Sequence, residues 1–371
     1  MKLFNRKIDW ILFISVTVLM IFSLSAVYSS SAFYAEYKFG NYEIFFWNHL
    51  RNIVVSFILM LIFTFVDYKN WLKFTNLLLY LSTFLLFLVL IFSIPVKGAA
   101  RWIDLGFANF QPSELAKLSL ILYISKTLYE RYDLKDEFMF VPFPIFLWVT
   151  IICILIALQP NFSTAFVLLI ISLILLFIAK IKIKYIFRFG IILLILGGLY
   201  GVSESYRMNR LIGYFELLTS DSQTYLTYQT NQALIAIGNG GLFGLGPGKT
   251  KQSNLFLPES YGDYIFSIIA EEYGFAGITV VASIFLILLL RLYLISKKCQ
   301  DGFSFYFVSG VFISIGLFTV VNAFVNIGFL PTTGLPMPFV SYGGSAMMTY
   351  AISIGIVQNI YSNITKEEND K

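Results

Sequence analysis

Ten apolar runs leave this chain few ways to fold. They cover roughly residues 9–28, 46–66, 74–94, 112–128, 140–158, 163–179, 187–202, 264–296, 304–328 and 345–361. A helix needs about 20 apolar residues to cross the hydrocarbon of a bilayer. The pattern predicts an all-α integral membrane protein of about ten transmembrane helices, one polytopic domain over 1–371. The fourth, sixth, seventh and tenth runs are short, and the eighth is overlong and holds Glu271 and Glu272. Hydrophobic residues make up 58% of the 371 and charged residues 13%. With a mean hydropathy of +0.78, that composition excludes an ordinary soluble domain. The first run is too long for a cleavable signal and lacks a clear small-residue cleavage site, so it is expected to remain as the first span.

Charge orients the bundle. With the N-terminus inside, most of the 26 Lys and Arg fall in inner loops and helix ends, among them Lys69, Lys126, Arg131, Lys180, Lys182, Lys184, Arg291, Lys297 and Lys298. The positive-inside rule then places both termini in the cytoplasm, with 362–371 as a solvated cytoplasmic tail. The net charge of +5 follows from this bias, and no nucleic-acid partner is expected. Cys153 lies in a span and Cys299 in an inner loop, which argues against a disulfide or a metal cluster. The lone histidine, His49, reads as an interfacial residue near the outer start of the second span. There is no clear internal repeat of the kind transporters carry.

One long stretch interrupts the apolar pattern. Residues 202–263 form a polar, Gly- and amide-rich segment that ends on an acid, and the topology makes it a large extracytoplasmic loop before helix eight. Three outer constellations stand out. The first is Gly98-Ala-Ala-Arg101-Trp102-Ile-Asp104-Leu-Gly106, followed by Gln111-Pro-Ser-Glu114-Leu-Ala-Lys117. Pro112 suits a first helical turn, the dipole favours Glu114 near it, and Lys117 is Glu114's neighbour on one face. Either this is a capped helix start with a local ion pair, or a pair of intramembrane charges kept for function.

The second constellation is Gly238-Asn-Gly240-Gly241-Leu-Phe-Gly244-Leu-Gly246-Pro-Gly248-Lys249-Thr250. It fails as a P-loop, since three residues separate Gly244 from Gly248 where four are needed. A backbone nest beside Lys249 and Lys251 for an anion, or a flexible loop with turn glycines, are the readings left open. The third runs from Leu257-Pro258-Glu259 through Asp263 to Glu272. A helix starting near Pro258 puts Glu259, Asp263, Ser267 and Glu271 on one broad face, with Asp263 at the mouth of an outer cavity. There Asp263 can serve as a base, or hold a divalent cation.

The strings GAARWIDLG…FQPSELAKL, YQTNQALIAIGNGGLFGLGPGKTKQSNLFLPESYGDYIFSIIAEEYGFAG and LPTTGLPMPFVSYGGS resemble the SEDS family of bacterial peptidoglycan polymerases. The likeness spans essentially the whole chain. GLGPGKTKQ and LPTTG are closer to its FtsW branch than to its RodA branch, which usually carries a GTQ-like element. The resemblance implies ten transmembrane helices in the bacterial inner membrane and a peptidoglycan glycosyltransferase that joins lipid II units on the outer face during division or elongation. It implies a class B penicillin-binding protein as transpeptidase partner, with other divisome or elongasome membrane proteins.

By the same resemblance the essential aspartate falls on Asp263, as a base or as ligand to Mg or Mn. The substrate-binding set falls on Arg101, Trp102, Glu114, Lys117, Arg210, Gln232, Lys249, Glu259 and Ser341. Two departures matter. Tyr261-Gly262 precedes Asp263 where the family commonly has His-Thr, so no histidine is required there. Gln159-Pro-Asn161 replaces the frequent Gln-Pro-Asp. A lipid II flippase and a non-catalytic division scaffold are the rival readings.

Overall fold

The computed structural model describes residues 7–92, 101–104, 106, 109–202, 208, 225–254 and 256–369. Its helices are α1 (Trp10–Phe39), α2 (Ile44–Phe65), α3 (Lys69–Phe92), α4 (Pro112–Glu130), α5 (Pro142–Leu158) and α6 (Phe162–Ile178). They continue as α7 (Ile183–Val202), α8 (Tyr225–Gly240), α9 (Ile265–Lys298), α10 (Gly302–Asn326) and α11 (Gly344–Asn369). A small antiparallel hairpin, β1 (Ile103–Asp104) and β2 (Asn109–Phe110), pairs Ile103 with Phe110 and Asp104 with Asn109. Each of the ten apolar runs lies on a helix. The eleventh helix, α8, lies inside the polar segment.

By length and hydropathy, six described helices are able to cross a membrane: α1, α2, α3, α7, α9 and α10. α5 and α6 have 17 residues each, about 25 Å at ~1.5 Å per residue. α4 is buried over most of its length by neighbouring helices, so its outward hydropathy can be low. Large side chains such as Phe84, Phe87, Ile191 and Ile195 point outward, as a lipid-facing surface requires. α7 stands at the edge, with only 11% of its apolar window buried.

Several ends differ from the hydropathy reading. α1 continues past residue 28 because Ser30 and Ser31 bond back to the Val27 carbonyl rather than opening a turn. It closes at Gly40, whose left-handed backbone (φ 65°) lets its N–H reach the Glu36 carbonyl. Residues 362–369 of the expected solvated tail instead continue α11, with Ser362, Ile364 and Thr365 buried.

Chain reversal places the starts of α1, α3 and α10 at one end of the bundle. There Asp9 caps α1 through Leu12 N–H at 2.9 Å and forms an ion pair with Arg291 of α9. The Asp9 backbone exchanges two hydrogen bonds with the Gln358 amide of α11, both 2.9 Å. Beside it, Asn359 accepts from Tyr68 N–H and donates to the Thr64 carbonyl. The functional candidates among the described residues lie toward the opposite end.

Candidate active site

Asp263 sits in a turn held by donors from outside it. Ser341 Oγ donates to the Gly262 carbonyl at 2.7 Å, and Tyr342 N–H to the Tyr261 carbonyl at 2.9 Å. Asn322 and Asn326 of α10 both donate to the Asp263 carbonyl, at 2.9 and 3.0 Å. Three successive carbonyls are therefore captured, and α9 begins at Ile265 instead of near Pro258. Glu259, with a positive φ of 57°, belongs to this turn. The expected helical stripe from Glu259 to Glu271 does not form, because carbonyls a helix would use are taken by the turn's neighbours. Asn326 also accepts from Ser267 N–H and Oγ. The half-buried Asp263 side chain faces Gly334, where a Cβ would come within 3.3 Å of its Oδ2.

The Tyr261 ring packs among Phe45 (4.7 Å between centroids), Tyr34 (5.9 Å) and Tyr342 (5.7 Å). Burial, reinforced by the nearby Glu259 carboxylate, pushes its phenol well above the usual tyrosine range. It stays protonated at any physiological pH.

The second centre is the Glu114–Lys117 pair on the first turns of α4. Pro112 opens this helix as expected. Lys117 Nζ donates to Glu114 Oε2 at 2.6 Å, and both side chains are almost wholly buried. The ammonium also lies over the rings of Tyr350 (3.9 Å) and Phe318 (4.3 Å), an arrangement that stabilises a desolvated cation. This is an intramembrane pair enclosed by α10 and α11, not a surface cap.

Residues 337–345 connect the two centres. At one end of the segment Ser341 and Tyr342 hold the Asp263 turn. At the other, Ser345 Oγ accepts from Gln111 N–H at 2.9 Å, just before α4, and contacts the Asn109 carbonyl at 3.1 Å. The hairpin is thus fastened between α4 and α11. Arg101 is tied elsewhere, donating to the Gln159 and Pro160 carbonyls at the α5–α6 turn. Trp102 is partly exposed beside it, and Gln232 is half-buried on α8. Arg210 lies outside the described residues.

The glycine-rich loop corrects the sequence reading most. α9 is broken at Gly274 (φ 64°, ψ −164°), roughly 14 Å along the axis from Ile265. The break leaves two carbonyls and two N–H groups unpaired, and the loop after α8 takes all four. Leu245 and Gly246 N–H donate to the Glu271 and Glu272 carbonyls, both 2.9 Å. Phe275 and Ala276 N–H donate to the Gly241 and Leu242 carbonyls, at 2.9 and 3.0 Å. Only glycine fits at the contact: a Cβ at Gly244 would lie 2.0 Å from the Glu272 carbonyl oxygen, and one at Gly274 2.4 Å from Gly244 N. The loop is held rather than slack, and the N–H groups of Gly244, Leu245, Gly246, Gly248 and Lys249 are already paired within the protein. Part of the expected loop is thus α8 and a glycine turn packed against the α9 break.

The buried Glu271 carboxylate accepts from Thr250 Oγ1, Lys251 N–H, Gln252 N–H and Asn239 Nδ2. Glu272 accepts from Gly248 N–H at 3.0 Å and from Ser29 Oγ of α1. Lys249, between the clamped residues, has an exposed side chain. His49 is buried rather than interfacial, its Nε2 at 2.9 Å from Ser23 Oγ. Both cysteines are free.

Sequence reading missed Asn322 and Asn326. Their signal was legible: two amides four residues apart in the apolar string TVVNAFVNIG share one helical face, and such groups inside a membrane need partners.

Comparison with known proteins gives a consistent picture. The cell cycle protein family FtsW/RodA/SpoVE matches residues 9–366. A probable peptidoglycan glycosyltransferase FtsW from Geobacter sp. (strain M18) is 36% identical over 358 residues, covering 95% of this chain and 96% of that protein. The protein of the same name from Coxiella burnetii is 33% identical over 361 residues, with 95% of each covered. Among solved structures, Thermus thermophilus rod shape determining protein RodA superposes with a TM-score of 0.69 at 25% identity, covering 96% and 97% of the two chains. A chain described under structural coordination of polymerization and crosslinking by a peptidoglycan synthase complex has the same fold. Its TM-score is 0.79 at 24% identity, over 96% and 98% of the two chains. This multi-pass membrane protein belongs to the FtsW/RodA/SpoVE family of cell cycle proteins, and the relatives at about a third identity are of the FtsW type.

Proposed function

We propose that the protein is a peptidoglycan glycosyltransferase that polymerises lipid II on the outer face of the bacterial inner membrane. The observation that carries this reading is the bridge from Ser341 to Ser345, which fixes an acid, Asp263, relative to a buried ion pair, Glu114–Lys117. Asp263 takes the proton from the acceptor sugar's 4-hydroxyl as its oxygen bonds to the donor's anomeric carbon. The bond from that carbon to the pyrophosphate oxygen breaks, and polyprenyl pyrophosphate leaves with the electron pair. One direct displacement inverts the anomeric centre. Arg101, Lys117, Arg210 and Lys249 offset the pyrophosphate charge. Trp102, Glu114, Gln232, Glu259 and Ser341 complete the substrate-binding set.

Among the described residues no three of His, Cys, Asp and Glu are grouped to hold a metal. Magnesium needs less, since one or two carboxylates plus substrate phosphates and water suffice. In that alternative Asp263 would be its protein ligand instead of the base, and the ion would supply neutralising charge to the pyrophosphate. A class B penicillin-binding protein is the transpeptidase partner, in keeping with the structural likeness to a polymerising and crosslinking complex. Purified protein given labelled lipid II, with and without that partner, is expected to produce glycan ladders. Transport of lipid II into vesicles without any polymer would favour a flippase instead.

Orientation has its own check. Cys299 is a poor reporter of side, because burial pushes its thiol up to about 12. Cysteines at exposed Asn41 and Lys249 should react with an impermeant maleimide on intact spheroplasts, and one at exposed Glu137 only after lysis. The reverse pattern would place the site in the cytoplasm.

A further inference from the structure

The strongest unassigned feature is the way two buried acids enclose one exposed lysine. Glu271 accepts from Asn239 at the end of α8 (3.1 Å), and from Thr250, Lys251 and Gln252 on the loop's return. It therefore fastens the loop's entry and exit to the same residue of α9. Glu272 takes the N–H of Gly248 (3.0 Å) and the hydroxyl of Ser29, which ties the loop's middle to α1. Lys249 lies between these anchors, and its own N–H reaches the Gly246 carbonyl at 3.1 Å. Its backbone is held on both sides while its side chain stays exposed. The helix that supplies both acids starts directly after the Asp263 turn, so the lysine's position is referred to Asp263 through one element.

We infer that Glu271 and Glu272 are positioning residues that present the Lys249 ammonium as a preplaced point charge for the diphosphate of a lipid-linked sugar. A loop held only by its glycines would have to be ordered when the diphosphate arrives, at a cost to affinity. Here the ordering is complete beforehand. A carboxylate suits the task because four donors converge on Glu271, and a side-chain amide would turn an NH2 group against some of them. The role of Lys249 rests on the polymerase reading above, whereas the clamp is read from the loop itself.

Thr250→Val tests this without removing a buried acid, since valine keeps the shape and loses the hydroxyl that donates to Glu271. In the ladder assay Thr250→Val and Lys249→Met should each raise the KM for lipid II about ten-fold, with kcat within about two-fold of wild type. The double variant should be no worse than Lys249→Met alone, because both act through one cation. Thr250→Ser should restore the wild-type KM. An unchanged KM in Thr250→Val, a loss confined to kcat or folded yield, or additive losses in the double would each overturn the proposal.

A second measurement separates this from the activity as a whole. With Lys249→Cys as reporter, the maleimide alkylation rate should change several-fold on adding Thr250→Val and return with Thr250→Ser. If wild type made no ladders yet this rate shifted, the polymerase reading and with it the diphosphate role of Lys249 would fall, and the clamp alone would stand. An unchanged rate would remove the clamp.

Discussion

Asp263→Asn should abolish glycan ladders while leaving expression, membrane insertion and partner binding near wild type. The asparagine keeps the size of the side chain, and the turn is held through backbone carbonyls by Asn322, Asn326, Ser341 and Tyr342 N–H. None of those contacts involves the carboxylate, so the local fold survives the exchange. An amide cannot accept the acceptor hydroxyl's proton, and it is a poorer ligand for a hard cation. Loss of a general base alone costs about 10²–10⁴-fold in rate, enough to remove visible product. The check is a ladder assay beside a thermal melt in detergent. Polymerisation at near wild-type rate would make the catalytic assignment wrong and return the flippase and scaffold readings to the front.

Lys117→Met should also be inactive, and here the structure sharpens what must be measured. Lys117 is enclosed by Glu114, Tyr350 and Phe318, so removing the cation strands a buried carboxylate. Breaking one side of a buried pair typically costs about 3–5 kcal/mol, and the single variant will lose folded protein as well as activity. The double variant Lys117→Met with Glu114→Gln removes both charges and should recover the folded yield, because two neutral groups of similar volume replace the pair. It should still make no ladders, since a cation that offsets pyrophosphate charge is gone. Recovery of polymerisation along with folded yield would mean that the pair is only structural.

Much of this was legible in the chain. Hydropathy located ten helices, because each lipid-facing segment must be apolar almost throughout. Pro112, Glu114 and Lys117 declared the start of α4, because capping, dipole and i,i+3 spacing are local rules. What failed was non-local. The start of α9 depends on Asn322, Asn326 and Ser341, which lie about 60 to 80 residues further along; no rule acting within the YGDYIF string reveals that its carbonyls are claimed. The glycines of GNGGLFGLGPG looked like turn residues or a phosphate cradle, whereas Gly244 is small because a broken helix passes against it. α8 escaped notice because YLTYQTNQALIAIGNG is too polar for a span. Residues 362–369 looked like a tail because their charges outweighed Ile364 in a local reading.

The pin at the far end of the bundle bears on how such a chain is made. Asp9 is nearly inaccessible, yet its partners Arg291 and Gln358 lie 282 and 349 residues away. A chain synthesised from its N-terminus at roughly 5–20 residues per second therefore exposes the start of α1 for many seconds before either partner exists. The first helix is made with an N-cap acid whose ion-pair partner is on α9, and whose neighbouring backbone is bonded by a residue of the final helix. Assembly of this bundle consequently completes late, when α11 threads home and locks the first segment in place. Chains truncated before Gln358 should lack that lock and be a natural substrate for membrane quality-control proteases.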